Sequence, residues 1–157
     1  MDVERAFAAG HVTAALTAIA VGGLVVLLPK GVGRHRLIGF IYVVALVIVD
    51  IAALLVHEEA TFGVFHALAV VSLFTVAIGI VPLLLGSRSP LALSLHAYSM
   101  ASSYAGLLAA GAGQVAATNA DRWGSESVPI TIGFALALSG VVIFLRVPPI
   151  LNAVLPR

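Results

Sequence analysis

The chain has 157 residues, 61% of them hydrophobic, with 10% Asp, Glu, Lys and Arg and a net charge of +1. A soluble domain carries roughly 25% charged residues, so this chain cannot clothe a water-soluble globule. Those numbers exclude a soluble catalytic domain and a disordered regulator, and a near-neutral balance gives no basic footprint for nucleic acid. The absence of cysteine removes disulfides, thiolate nucleophiles, iron–sulfur clusters, Cys-ligated zinc and covalently attached c-type haem.

The apolar residues fall in runs of the length a helix needs to cross about 30 Å of hydrocarbon at 1.5 Å per residue. The first run extends over about 6–29 and is closed by Pro29, Lys30, Gly31 and Gly33. Met1-Asp2-Val3-Glu4-Arg5 ahead of it lacks a basic n-region, and no small-residue cleavage site follows, so the first helix is expected to be retained. The second run, about 37–56, carries one charge, Asp50. His57-Glu58-Glu59-Ala60-Thr61 separates it from the third, about 64–85. Gly86-Ser87-Arg88-Ser89-Pro90 has the composition of a turn. The fourth run, about 91–117, is rich in Ala, Gly and Ser, and the fifth, about 128–145, is expected to stop at Arg146, Pro148 and Pro149.

The expected fold is therefore a single all-α transmembrane domain of about five helices, a multi-pass protein of the cell membrane. Lys30, Arg34 and Arg36 in the first loop, Arg88 in the third, and Arg146 and Arg157 after the last run put the basic residues on one side. Basic loops stay cytoplasmic, so the N-terminus is expected outside and the C-terminus in the cytoplasm. Small residues recur every fourth position at Ala14, Ala18 and Gly22, at Ser102, Gly106 and Ala110, and at Ala105, Ala109 and Gly113. Such spacing lets membrane helices approach closely, and two trios on one helix mark the fourth as central.

Ionisable groups in a bilayer are costly, so they are the first candidates for function. In this topology His11 and His66 lie at similar depth near the outer face, on different helices. His35 and His96 lie likewise near the inner face. One imidazole from each of two facing helices can hold a b-type haem iron, and two such levels make a path for electrons across the membrane. Met100 and Ser103 share the face of His96. A different set, Asp50 with His11, His57 and His66, has the donor types for zinc or another divalent ion, or for proton handling. Asp50 also suits a second role, orienting a ligating histidine, or a neutral acid bonded to a neighbouring helix. Gln114 and Thr118 are candidate partners near the same level. Competing readings place His57 and His35 in the interface with headgroups, and His11 and His66 in ordinary contacts between helices. Tyr42, Tyr98 and Tyr104 read as packing or interface residues. No nucleophile–base constellation is visible, and a non-catalytic subunit or assembly factor of a larger membrane complex fits the short loops.

The segment Gly33-Arg34-His35-Arg36-Leu37-Ile38-Gly39-Phe40-Ile41-Tyr42 resembles the Gly…His-Arg-x-x-Gly-x-x-Tyr block of an uncharacterised prokaryotic family of multi-span membrane proteins, a domain of unknown function. His11 with its Gly-rich helix, and His96-x-x-x-Met100-x-x-Ser103-Tyr104-x-Gly106-Leu107, look like two further blocks of that family, so the resemblance covers roughly 8–115. Here Ala97 and Tyr98 follow His96 where many relatives carry basic residues. The resemblance implies a helical bundle with functional histidines. It implies no activity.

Overall fold

Hydrocarbon offers the backbone no hydrogen-bond partners, so an apolar run of this length must satisfy its own N–H and C=O groups, which a helix does. The computed structural model describes residues 3–30, 33–55 and 62–155, and all regular structure among them is helical. The elements are α1 (Val3–Leu27), α2 (Gly33–Leu55), α3 (Val64–Leu84), α4 (Pro90–Thr118), the single turn α5 (Ala120–Trp123) and α6 (Ser127–Val154).

Four of these, over Ala9–Leu27, Gly33–Leu55, Val64–Leu84 and Ser127–Ala153, are long and apolar enough to cross a membrane by length and composition. The fourth expected run is also a long helix, but at 29 residues the Ser, Tyr, His and Gln of α4 leave it less apolar than the other four. The last helix needs a correction, because it does not stop at Arg146. It runs through Pro148 and Pro149 to Val154. Each proline removes one donor and leaves a carbonyl a turn earlier unbonded. Those carbonyls belong to the exposed Phe144 and Leu145, while Val147, 7% exposed, is buried.

Helix ends are closed as their sequences suggest. Lys30 Nζ donates to Val25 O at 2.8 Å and Val26 O at 2.9 Å, placing a cation on the last carbonyls of α1. Burial holds that amine below the ordinary lysine value. At the end of α3, Ser87 N donates to Pro82 O and Gly86 N to Leu83 O, a Schellman closure. It requires the left-handed φ of +83° that Gly86 adopts without a Cβ penalty. Ser89 then caps α4 by accepting from Ala92 N, with Pro90 in the first helical turn.

By internal contacts the chain divides into two compact units, Met1–Leu73 and Phe74–Arg157. In the first, α1 packs on α2. Ala18 is fully buried and Gly22 is buried, with Ala14 half-buried, so this small-residue stripe is a packing seam. The facing stripe of α2 is Tyr42, Ala45, Leu46, Val49 and Asp50. In the second unit, α4 packs on α6. Ala105, Ala109, Gly113 and Ala116 of α4 are buried, as is Ile132 of α6. The other candidate trio of α4 behaves differently. Ser102 is exposed, and a Cβ added at Gly106 would meet nothing within 4 Å. Large side chains such as Leu16, Phe40, Phe74, Phe134 and Phe144 point outward. Small residues inside and large apolar ones outside are what lipid as a solvent selects.

Candidate functional site

In the first unit the candidate residues His11 and Asp50 lie toward the end of α1 and α2 away from the loop joining them. Gly10, Thr13, Ala14 and Thr17 of α1 line one groove with Phe40, Ile41, Val44, Ala45 and Ile48 of α2. That pairing brings the start of α1 level with the second half of α2. His11 and Asp50 follow Gly10 and Ile48 by one and two residues. The groove itself is apolar, since Thr13 Oγ1 donates to Ala9 O at 2.7 Å and Thr17 Oγ1 to Thr13 O at 2.8 Å.

Asp50 is 5% exposed, on the stripe two turns beyond Tyr42. Ser72 of α3 stands beside its carboxyl. Even so, Asp50 Oδ2 and Ser72 Oγ are both buried without a formed hydrogen bond, as is His11 Nδ1. Nearly all buried polar atoms in proteins are bonded, and leaving one unpaired costs about 1–3 kcal/mol. Asp50, Ser72 and His11 each hold such an atom, which makes them the candidate polar residues of this unit. Ser72 was not singled out from the sequence. Its signal is a hydroxyl in the apolar run Ala69-Val70-Val71-Ser72-Leu73, at the depth of Asp50 once α2 and α3 are folded antiparallel.

His66 takes a local part. Gly63 N donates to His66 Nδ1 at 3.1 Å, and the Phe62 and His66 rings lie 5.5 Å apart. Gly63 is the residue before α3 and His66 its third, so the imidazole occupies the place Glu or Gln takes in a capping box. Because Nδ1 accepts, Nε2 holds the proton of the neutral ring.

In the second unit His96 Nδ1 lies 3.1 Å from Gly79 O. A carbonyl only accepts, so Nδ1 is the protonated nitrogen and Nε2 carries the lone pair of the neutral ring. Gly79 is also a point of close approach between α3 and α4. A Cβ there would sit 2.9 Å from Ser99 Cβ and 3.3 Å from Met100 Sδ. Ser103, 2% exposed, donates to Met100 O at 2.9 Å. The sequence put His96, Met100 and Ser103 on one face, and here they are met by a glycine it did not single out.

Among the described residues no three His, Asp or Glu side chains form a group able to hold a metal ion. His57, a member of the expected divalent set, lies outside the described residues. Of the expected haem pairs, His11 and His66 are both in the first unit, whereas His35 belongs to the first and His96 to the second. Gln114 and Thr118 are exposed residues of the second unit, and Thr118 Oγ1 donates to Val115 O. Tyr42 is buried, and Tyr98 is 39% exposed.

Several long apolar helices define a multi-pass helical membrane protein. Residues 8–151 match the family described as Predicted membrane protein (DUF2306), and the chain belongs to that family. No curated protein and no solved structure matches it.

Proposed function

We propose that this membrane protein binds or relays a small cation, the proton included, at a polar centre made by Asp50, Ser72 and His11. The carrying observation is Asp50: a carboxyl 5% exposed, on a helix able to span the membrane, with Oδ2 in no hydrogen bond. Intramembrane ionisable groups are retained against a cost of a few kcal/mol, which points to use. A purely structural role calls for a fully bonded group, and one oxygen of this carboxyl has no formed bond. The test is thermal unfolding of the purified protein across pH and with added Na⁺, Ca²⁺ or Zn²⁺, for the native chain and for Asp50→Asn. A stability that responds to pH or to one cation, and loses that response in Asp50→Asn, supports the reading. Superimposable behaviour of the two proteins under every condition removes it.

A second reading, electron transfer through b-type haem, is favoured by the orientation of His96. Histidines that ligate metals usually donate their other ring N–H to a carbonyl or carboxylate, as His96 Nδ1 does to Gly79 O. Nε2 would then be the iron ligand. His66 lends this reading less, because its Nδ1 is engaged in the helix cap. The check is the absorption spectrum of protein expressed with haem supplementation, oxidised and then dithionite-reduced. A Soret band that shifts on reduction and vanishes in His96→Ala supports it. Its second ligand is then named by the same loss in His11→Ala, His35→Ala or His66→Ala. A featureless spectrum from folded protein ends this reading.

A further inference from the structure

We infer that the occupant of the Asp50 centre is a proton, held as a carboxylic acid whose partner is the Ser72 hydroxyl; this rests on the cation-handling reading above. A hydrated or multiply coordinated metal needs several donors converging on one point. The described residues around Asp50 supply too few. From α1 the titratable group at this level is His11, and from α3 it is His66, nearer that helix's start and engaged in its cap. On α2 itself Tyr42 lies two turns away on the same face. No Lys or Arg makes an ion pair with Asp50 among the described residues.

A carboxylate at 5% exposure with no cation beside it carries a large desolvation cost, and one proton removes the charge. Uptake is a simple addition: water delivers H⁺ to a carboxylate oxygen, and its release returns the same proton. A serine hydroxyl serves both states, accepting from the acid O–H and donating to the carboxylate. Ser72 therefore lets the proton come and go without committing the site to either form. Asp50 Oδ2 and Ser72 Oγ are both buried, and Ser72 is the side chain set against the Asp50 carboxyl. Because Asp50 is on α2 and Ser72 on α3, each proton taken up or released reverses the direction of a tie between two helices of the unit.

The experiment uses the full chain reconstituted in phosphatidylcholine vesicles and the apolar reagent N,N′-dicyclohexylcarbodiimide. It adds to a protonated carboxyl in an apolar setting, the acid O–H adding across a C=N bond with no leaving group, while ionised carboxylates in water react little. Intact-mass and peptide analysis reads the adduct from acid to alkaline pH, with and without Zn²⁺. The expected result is one adduct, on Asp50, formed at neutral pH, declining toward alkaline pH, absent in Asp50→Asn and indifferent to Zn²⁺. Ser72→Ala shifts the pH at which labelling declines. An unmoved midpoint in that variant removes Ser72 from the site. Protection by Zn²⁺ overturns the proton assignment while leaving a cation site at Asp50. Labelling equal at every pH shows a permanently neutral acid and also ends the proposal. No adduct at any pH, together with a stability response unchanged in Asp50→Asn, brings down the cation-handling reading itself.

Discussion

In the second unit His96 and Ser103 sit among small side chains, and each meets a main-chain oxygen, Gly79 O for one and Met100 O for the other. In the first unit His11, Asp50 and Ser72 each have a buried polar atom with no bond. Both sets contain a histidine and a serine, so those residue types do not separate the two cases. The difference lies in what the neighbouring helix offers. Gly79 lets α4 approach so closely that its carbonyl is within reach of an imidazole. Beside Asp50 the neighbouring helix offers only a short hydroxyl. A satisfied polar group fixes packing, and an unsatisfied one stores a cost that a bound cation can relieve.

The largest expected effect comes from breaking the close approach in the second unit. Gly79→Leu should destabilise the protein by about 3 kcal/mol, because even its Cβ falls 2.9 Å from Ser99 Cβ. Gly79→Ala should cost about 1 kcal/mol, and adding Ser99→Gly should recover most of it. Denaturant or thermal unfolding in detergent reads all three proteins. If Gly79→Ala and Ser99→Gly prove additive, the two helices do not meet there.

Next in size is a change expected to stabilise. Asp50→Leu replaces an unsatisfied acid by an apolar group of similar volume, and such exchanges are neutral or favourable. A gain of about 1.5 kcal/mol is expected, together with loss of any pH or cation response. A loss of stability instead would show that Asp50 is held by a bond and would erase the contrast with His96.

His96→Phe should cost about 1 kcal/mol, the net worth of one hydrogen bond between helices. The same substitution at His11, whose Nδ1 makes no bond, should cost less than half of that, which puts the satisfied and unsatisfied histidines on one scale. The smallest effect belongs to the cap. His66→Ala should lose about 0.5–1 kcal/mol, and His66→Gln should keep most of it, since Gln fills the same place in a capping box. Should Gln do no better than Ala, the imidazole is held there by something other than Gly63 N.

The all-α class, the order of the long helices and most of their boundaries were legible in the residues. Ser89-Pro90 and Gly86-Ser87 close helices by hydrogen bonds within a few residues of themselves, so nothing distant enters. Where the reading failed, a local rule was outvoted. Pro148 and Pro149 read as a stop, but a buried Val147 holds α6 in place and its prolines cost only the donors they lack. The site was half legible. Asp50 and the histidines announced themselves by charge in an apolar run, whereas Ser72 and Gly79 carry no charge to notice. Their roles exist only because another helix brings Asp50 or His96 to them.

What the sequence determined by itself is the membrane character and the helices, because hydrocarbon leaves the backbone no alternative to bonding within its own segment. What only the tertiary structure decided is which small residues pack and which polar atoms are answered. Ala105, Ala109 and Gly113 are buried while Ser102 is exposed, from the same spacing on the same helix. His96 finds a carbonyl, His66 a backbone N–H, and Asp50 only a hydroxyl that does not close on it. Those outcomes depend on how closely two helices approach and at what level. That is a matter of shape between segments distant in the chain, which periodicity within one segment does not encode.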